Sequence, residues 1–219
     1  MKVGIIGYGV VGKTRFKSII KNTSFEITSV SENNPSARID IPENIQIFSD
    51  YQSLIAEADL DIVFISLPNK FAAHATILSL KKGLHVFCEK PPAKTLNELK
   101  EVKLISSNTP NLKLMYGFNH RFHLSVEEAK SIIDSNALGQ IINMRGVYGK
   151  SQMISFNQTD WRTRREESGG GILLDQGIHM LDLMRYLSGE DFSEIFSFID
   201  NAFWNFDVED NAYVLMKSQ

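Results

Sequence analysis

Val3-Gly4-Ile5-Ile6-Gly7-Tyr8-Gly9-Val10-Val11-Gly12, close to the start of the chain, decides how its first half is read. A short apolar run, Val3 to Ile6, gives way to glycines spaced Gly-x-Gly-x-x-Gly, and a helical pattern follows to about Ile20. Three glycines at these spacings are a weak signal alone. After a strand and before a helix they form the fingerprint of a dinucleotide-binding turn. Gly7 permits the tight turn, Gly9 lets a pyrophosphate approach the backbone, and Gly12 lets helix and strand pack closely. The start of the helix offers free amides and a partial positive charge to phosphate. The whole loop Gly7-Tyr8-Gly9-Val10-Val11-Gly12 is thereby the candidate cofactor turn; the alternative is a plain glycine turn.

A ribose partner belongs about 20 residues further on, at the end of the second strand. Glu32 stands there, after the apolar run Ile27 to Val30. A carboxylate accepts hydrogen bonds from the ribose hydroxyls and repels a 2′-phosphate, so NAD is expected rather than NADP. Arg38 is close enough in sequence to keep NADP open as the lesser alternative.

Beyond the loop, short apolar runs alternate with helical patterns. Strands are expected at Ile62–Ile65, Leu84–Cys88 and Leu112–Phe118, and helices at Tyr51–Glu57, Ala72–Lys82 and Leu96–Ser106. This alternation indicates a parallel sheet covered by helices on both faces. The remainder reads differently. A helix is expected over Ser125–Asp134, with Ser125 as N-cap and Glu128 completing a capping box. Long strands are expected at Ile141–Gly149, Glu194–Phe206 and Ala212–Lys217. Between them a charged loop, Gln158 to Ser168, leads through Gly169-Gly170-Gly171 into a helix ending near Leu187. The expected architecture is α/β: a Rossmann domain over residues 1–120, then an α+β domain over 121–219 with a mostly antiparallel open sheet. The chain stops at Gln219 just after a strand, which would leave a sheet edge exposed. Either other chains cover that edge, or the second domain is a shortened one.

Composition narrows the function. A net charge of -3, with no basic run carrying interleaved aromatics, gives no case for nucleic acid. No apolar stretch approaches the ~20 residues that span a bilayer, and no apolar leader precedes the first strand. Cys88 is the only cysteine, which excludes an intrachain disulfide and a cysteine-based metal cluster. A soluble, cytoplasmic protein is expected.

Three further groups of residues bear on chemistry. Ser66-Leu67-Pro68-Asn69 follows a strand at its carboxyl end, where open α/β sheets bind ligands; it also reads as a simple turn. Glu89-Lys90-Pro91-Pro92 follows the next strand, and the proline restricts the lysine. In a closed site such an ammonium loses hydration, which lowers its pKa and suits it to polarise a hydroxyl or carbonyl. The alternative is a solvated charge pair on a loop. Finally, Asp175, His179 and Asp182 lie i, i+4, i+7 on a helix that is otherwise apolar almost all round and is therefore expected to be buried. They form either a site facing a wet cavity or a satisfied buried cluster. No metal site is expected from one histidine with carboxylates and no cysteine.

Taken together, GYGVVG, SLPNKFAAHA, KKGLHVFCEKPPA, GFNHRFH and GGGILLDQGIHMLD resemble the Gfo/Idh/MocA family of oxidoreductases, in the family's order along the chain. That resemblance implies NAD-dependent transfer of hydride between a secondary hydroxyl of a sugar, inositol or nucleotide sugar and nicotinamide. It implies that Lys90 touches the reacting hydroxyl, aimed by a cis Lys90-Pro91 bond, that His179 is the acid/base, and that Asp175 orients the substrate. Leu67, Pro68, Asn69, His74, Glu89, Lys90, Asn119, Trp161 and Arg162 match positions around the cofactor. Lys90, Arg121, Arg162, Asp175 and His179 match positions around the substrate. The form GGGILLDQGIHMLDL followed by AFWNFDVEDNAYVLM is most similar to members concerned with surface-polysaccharide sugars. Family members continue well past this chain's end, completing an open sheet that pairs subunits, so the resemblance also implies a homo-oligomer. The alternative activity is a catalytically silent dinucleotide-binding regulator, or a remnant of such an enzyme.

Overall fold

The computed structural model describes residues 1–149 and 161–218. Residues 158–160 of the expected charged loop lie outside the described residues. The chain divides into two compact units, Met1–Gly117 and Phe118–Gln219.

The first unit runs β1 (Lys2–Ile6), α1 (Val10–Ile19), β2 (Glu26–Ser31), β3 (Gln46–Phe48), α2 (Tyr51–Glu57), β4 (Ile62–Ile65), α3 (Asn69–Lys82), β5 (His85–Cys88), α4 (Leu96–Asn108) and β6 (Leu114–Tyr116). The six strands are all parallel, in the order β3-β2-β1-β4-β5-β6. This is the doubly wound order, whose crevice opens at the carboxyl ends of the strands where the order reverses, between β1 and β4. Successive side chains of a strand point to opposite faces, and the core divides accordingly. Val3, Ile5, Ile27 and Val30 pack with Phe16 and Ile19 of α1 on one face. Ile6, Val63, Ile65 and Val86 pack with Leu54 and Leu80 on the other. Strands buried on both sides read as continuous apolar runs, which is why β1, β4 and β5 were recognisable in the sequence. β3 was not, because three residues carry no periodicity.

The second unit contains a 3-10 turn (Asn119–Phe122), α5 (Leu124–Asp134), a second 3-10 turn (Trp161–Thr163), α6 (Arg165–Ser168), a π-helical turn (Leu173–Gly177), α7 (Ile178–Ser188), β7 (Phe192–Asp200) and β8 (Asn211–Ser218). β7 and β8 form an antiparallel pair, with Phe196 opposite Leu215 and Phe198 opposite Tyr213. Those four side chains are between 65% and 80% exposed.

Several expectations for this unit need correction. Residues 141–149 form no regular strand. A strand needs a ladder partner, and among the described residues the only antiparallel ladder is β7–β8. β7 ends at Asp200 rather than Phe206, because Asp210 folds the connection into a turn: its carboxylate accepts the amides of Ala202, Phe203 and Trp204 at 2.9, 2.8 and 2.6 Å. The capping box at Ser125 and Glu128 does not form, since α5 begins at Leu124 with His123 at its N-cap and no side-chain cap bond. A capping box does close α4, between Thr95 and Glu98. The helix carrying His179 is not buried all round: only His179 is buried on α7, and its apolar neighbours are half-buried.

The glycine run ahead of that helix has a steric cause. A Cβ on Gly171 would lie 2.0 Å from the backbone oxygen of Glu209. The buried Glu209 carboxylate accepts the Gly171 amide at 2.8 Å, and its carbonyl accepts the Ile172 amide at 2.9 Å. Glu209 thus satisfies the open amides that begin the helix, and its charge meets Arg165 at 3.4 Å.

Candidate active site

The glycine loop leaves β1 as a tight turn. Gly7 has φ +87°, and a Cβ there would stand 2.6 Å from the Ser66 carbonyl oxygen. A Cβ on Gly12 would come within 2.0 Å of the Gly7 carbonyl oxygen, so α1 can lie against the turn only with glycine there. Gly9 is different: a Cβ on it would meet nothing within 4 Å. The space beside Gly9 is therefore open, which is what a pyrophosphate lying on the first amides of α1 requires. Val10 is 86% exposed on the same turn. Tyr8 turns inward, buried edge-to-face against Phe16 at 5.5 Å, and burial pushes its phenol pKa up. Its backbone, not its ring, serves the turn.

Glu32, just past β2, is tied to this loop. Its Oε2 accepts the Tyr8 amide at 2.8 Å and its Oε1 accepts the Asn34 amide at 2.9 Å. The carboxylate is thereby held at the carboxyl end of β2 with lone pairs remaining for sugar hydroxyls. Arg38 donates its Nε–H to the Glu32 carbonyl oxygen at 2.7 Å. The residues fit a dinucleotide: an open glycine turn, a helix start, and a fixed carboxylate next to them.

At the end of β4, Leu67 and Pro68 lead into α3, with Pro68 at its N-cap and Asn69 buried. His74 stands one turn further along α3, its Nδ1 2.8 Å from the Tyr51 hydroxyl. At the end of β5, the Glu89 carboxylate takes an ion pair from Arg15 of α1, with Nε to Oε1 at 2.6 Å. Glu89 also lies against Gly117, where a Cβ would come within 2.6 Å of its Oε2. Lys90 follows, half-buried, and the Lys90-Pro91 bond is cis. Glu89 and Lys90 are therefore not a solvated pair; Glu89 is neutralised by Arg15, which was not anticipated from the sequence. Nothing in the local pattern of α1 marks Arg15.

In the second unit the Asp175–His179–Asp182 stripe separates into different environments. Asp175 lies in the π-turn, and its Oδ2 accepts from Gln176 Nε2 at 2.8 Å. Turns of this kind are frequent at functional sites. Asp182 is held by Arg121: Nε to Oδ2 is 2.7 Å, with a second bond from the same guanidinium to Oδ1. That bond raises the Arg121 pKa. Asp182 and Arg121 are thus a structural clamp between α7 and the 3-10 turn carrying Asn119. His179 is 5% exposed and stacked against His120, an aromatic partner the sequence reading passed over although it lies in GFNHRFH. Trp161 and Arg162 sit together, the guanidinium 4.4 Å from the indole ring centre. Among the described residues no group of three His, Cys, Asp or Glu is placed to hold a metal, and no helix is long and apolar enough to cross a membrane.

Two family models match. Residues 1–118 match the oxidoreductase family with the NAD-binding Rossmann fold, and residues 126–219 match the GFO/IDH/MocA C-terminal domain. Levoglucosan dehydrogenase of Pseudarthrobacter phenanthrenivorans is 30% identical over 202 residues, spanning 87% of this chain and 52% of its own length. D-glucoside 3-dehydrogenase of Escherichia coli is 30% identical over 195 residues, spanning 86% of this chain and 54% of its own. Scyllo-inositol dehydrogenase from Lactobacillus casei, solved with NAD(H) and scyllo-inositol, is 25% identical with a TM-score of 0.84, covering 100% of this chain and 66% of that one. The chain spans about half the length of the curated relatives it matches. With both halves matched in order, the chain belongs to the Gfo/Idh/MocA oxidoreductase family.

Proposed function

We propose that the protein is an NAD-dependent dehydrogenase acting on a secondary hydroxyl of a sugar, inositol or nucleotide sugar. One observation carries the reading. The glycine turn, Glu32, the Leu67-Pro68-Asn69 segment and Lys90 stand at the carboxyl ends of β1, β2, β4 and β5, four adjacent strands of one sheet. A dinucleotide cradle and a restrained lysine thereby share one rim.

Gly7 to Gly12 and the first amides of α1 would hold the pyrophosphate, and Glu32 the adenosine ribose. Bound NAD supplies the hydride acceptor. Lys90 donates a hydrogen bond to the reacting oxygen and favours its alkoxide character. His179 takes the hydroxyl proton, and Asp175 orients the substrate. Asn69, His74, Glu89, Asn119, Trp161, Arg121 and Arg162 serve in binding and orientation. Glu32 favours NAD over NADP, since a 2′-phosphate would meet its charge.

Two further parts belong to this reading. The lone cysteine, buried with its thiol pKa pushed up to about 12 by desolvation, suits a reducing cytoplasm. The exposed Phe196, Phe198, Tyr213 and Leu215 on β7–β8 support association with a second copy of the chain. A nucleotide-linked substrate of the surface-polysaccharide type remains within the proposal on the resemblance of GGGILLDQGIHMLDL.

The test is a screen of free sugars, inositols and nucleotide sugars with NAD, followed by NADH absorbance. Turnover on at least one polyol is expected. Tight NADH binding with no turnover on any of them would replace the enzyme by a dinucleotide-binding regulator.

A further inference from the structure

The imidazole of His120 lies over that of His179, with ring centroids 4.1 Å apart and planes 15° from parallel. Tyr148 runs nearly parallel to both rings, 5.8 Å from His120 and 6.2 Å from His179. Phe118 meets His179 edge-on at 6.3 Å, and His123 meets His120 edge-on at 5.4 Å. The position of His120 is fixed by its neighbour, because Arg121 grips Asp182 on α7, about one helical turn beyond His179. The clamp that ties the 3-10 turn to the helix therefore also brings the two imidazoles face to face.

Two imidazoles at this separation do not protonate independently. A proton on one ring opposes a second on the other, whereas a neutral imidazole presents its π face to an imidazolium. Stacking also restricts rotation of the buried ring, which a group that must meet a hydroxyl in one orientation requires.

We propose that His120 is a positioning residue for His179, fixing the plane of its ring by stacking and restricting the pair to a single proton. This rests on His179 being the acid/base of the reaction proposed above. Among the described residues, the charged groups on the same elements have partners of their own. Arg121 and Asp182 neutralise each other, Arg185 is engaged by Asp191, and Lys130 of α5 lies over the Tyr186 ring. His123 and Tyr148 are titratable side chains whose rings meet the pair, and Asp175 stands four residues before His179 in the π-turn.

The experiment follows the imidazole Cε1–H resonances by NMR during a pH titration of the whole chain, in wild type, His120→Phe and His120→Ala. In the wild type the His179 resonance is expected to move in two steps, separated by more than about one pH unit, as coupled sites do. In His120→Phe, which keeps a stacked ring without the second proton, it is expected to move in one. With an active substrate, His120→Ala lowers kcat about tenfold without changing KM for NAD, and His120→Phe recovers part of that loss with a shifted pH profile. A single-step His179 titration in wild type that is unchanged in His120→Phe overturns the proposal. So does a His120→Ala enzyme, folded by circular dichroism, with wild-type kcat and pH profile. A two-step titration in a protein that turns over no substrate upholds the pairing and removes the catalytic role instead, so the two readings fail separately.

Discussion

Glu32 and Tyr8 are joined across the crevice end of the sheet: the Glu32 carboxylate accepts the Tyr8 amide at 2.8 Å. The side chain expected to read the ribose is thus anchored to the loop expected to read the phosphates. Glu32→Ala removes both the anchor and the hydroxyl acceptor. Hydrogen bonds to a charged group contribute about 1.5–3 kcal/mol, so NADH affinity should fall on the order of tenfold to a hundredfold. The NADH/NADPH preference should narrow as well, since the charge opposing a 2′-phosphate is gone. Titration calorimetry with both cofactors measures this, and unchanged preference would contradict it.

The second and third glycines of the turn should separate fold from binding. Gly9→Ala adds a methyl where nothing stands within 4 Å, so thermal stability should change little while NADH affinity falls. Gly12→Ala drives its methyl to 2.0 Å from the Gly7 carbonyl oxygen, and the backbone itself must shift. Its melting temperature should drop markedly, with a cost of about 2 kcal/mol or more. A Gly9→Ala protein that binds NADH as well as wild type would remove the pyrophosphate from this loop.

Much of the first unit is legible in the sequence because its rules are local. Buried parallel strands announce themselves as apolar runs, Gly7 meets a local demand for positive φ, and Gly12 answers a steric demand five residues away. The second unit is less legible because its decisive contacts are long-range. The apolar residues of 141–149 suit a strand, but strand formation depends on a partner that periodicity does not supply. Ser125 and Glu128 have the right spacing for a cap, yet the helix starts earlier, at Leu124, where the His123 carbonyl accepts the amides of Val126 and Glu127. The purpose of Gly171 is visible only once Glu209 is seen against it. Arg15 against Glu89 and His120 against His179 were missed for the same reason: each partner is far away in the chain.

Glu209 gives a direct test of that long-range dependence. Glu209→Ala leaves the Gly171 amide without its acceptor and Arg165 without its carboxylate. Losing a buried charged acceptor costs about 1–3 kcal/mol, so a clear fall in melting temperature is expected. NADH binding, proposed to rest chiefly on the glycine turn and Glu32 of the first unit, should fall far less than it does in Glu32→Ala. An unchanged melting temperature would show that the glycine run is held by something else.

Asp210 predicts an acid response. Desolvation pushes its carboxyl up, but the amides of Trp204, Ala202 and Phe203 and the Asn211 side chain pull it further down, to about 2 from 3.8. A carboxyl with a depressed folded-state pKa stabilises above its unfolded value and loses that stabilisation as pH falls through the folded one. The β7–β8 connection should therefore loosen between about pH 4 and pH 2. Trp204 fluorescence should follow it, and Asp210→Asn should flatten that part of the profile. An identical acid profile in the variant would contradict the assignment.

The meeting of a bound dinucleotide and Lys90 on one rim, to oxidise a hydroxyl, is the core of the proposed function. It is tested most directly by measuring Lys90→Ala for both NADH binding and turnover on whichever substrate the wild type accepts. General acid–base groups contribute about a hundredfold to ten-thousandfold, so kcat should fall by that order while NADH affinity stays within about threefold. A variant that keeps most of its turnover would contradict the assignment of Lys90 to the reacting hydroxyl.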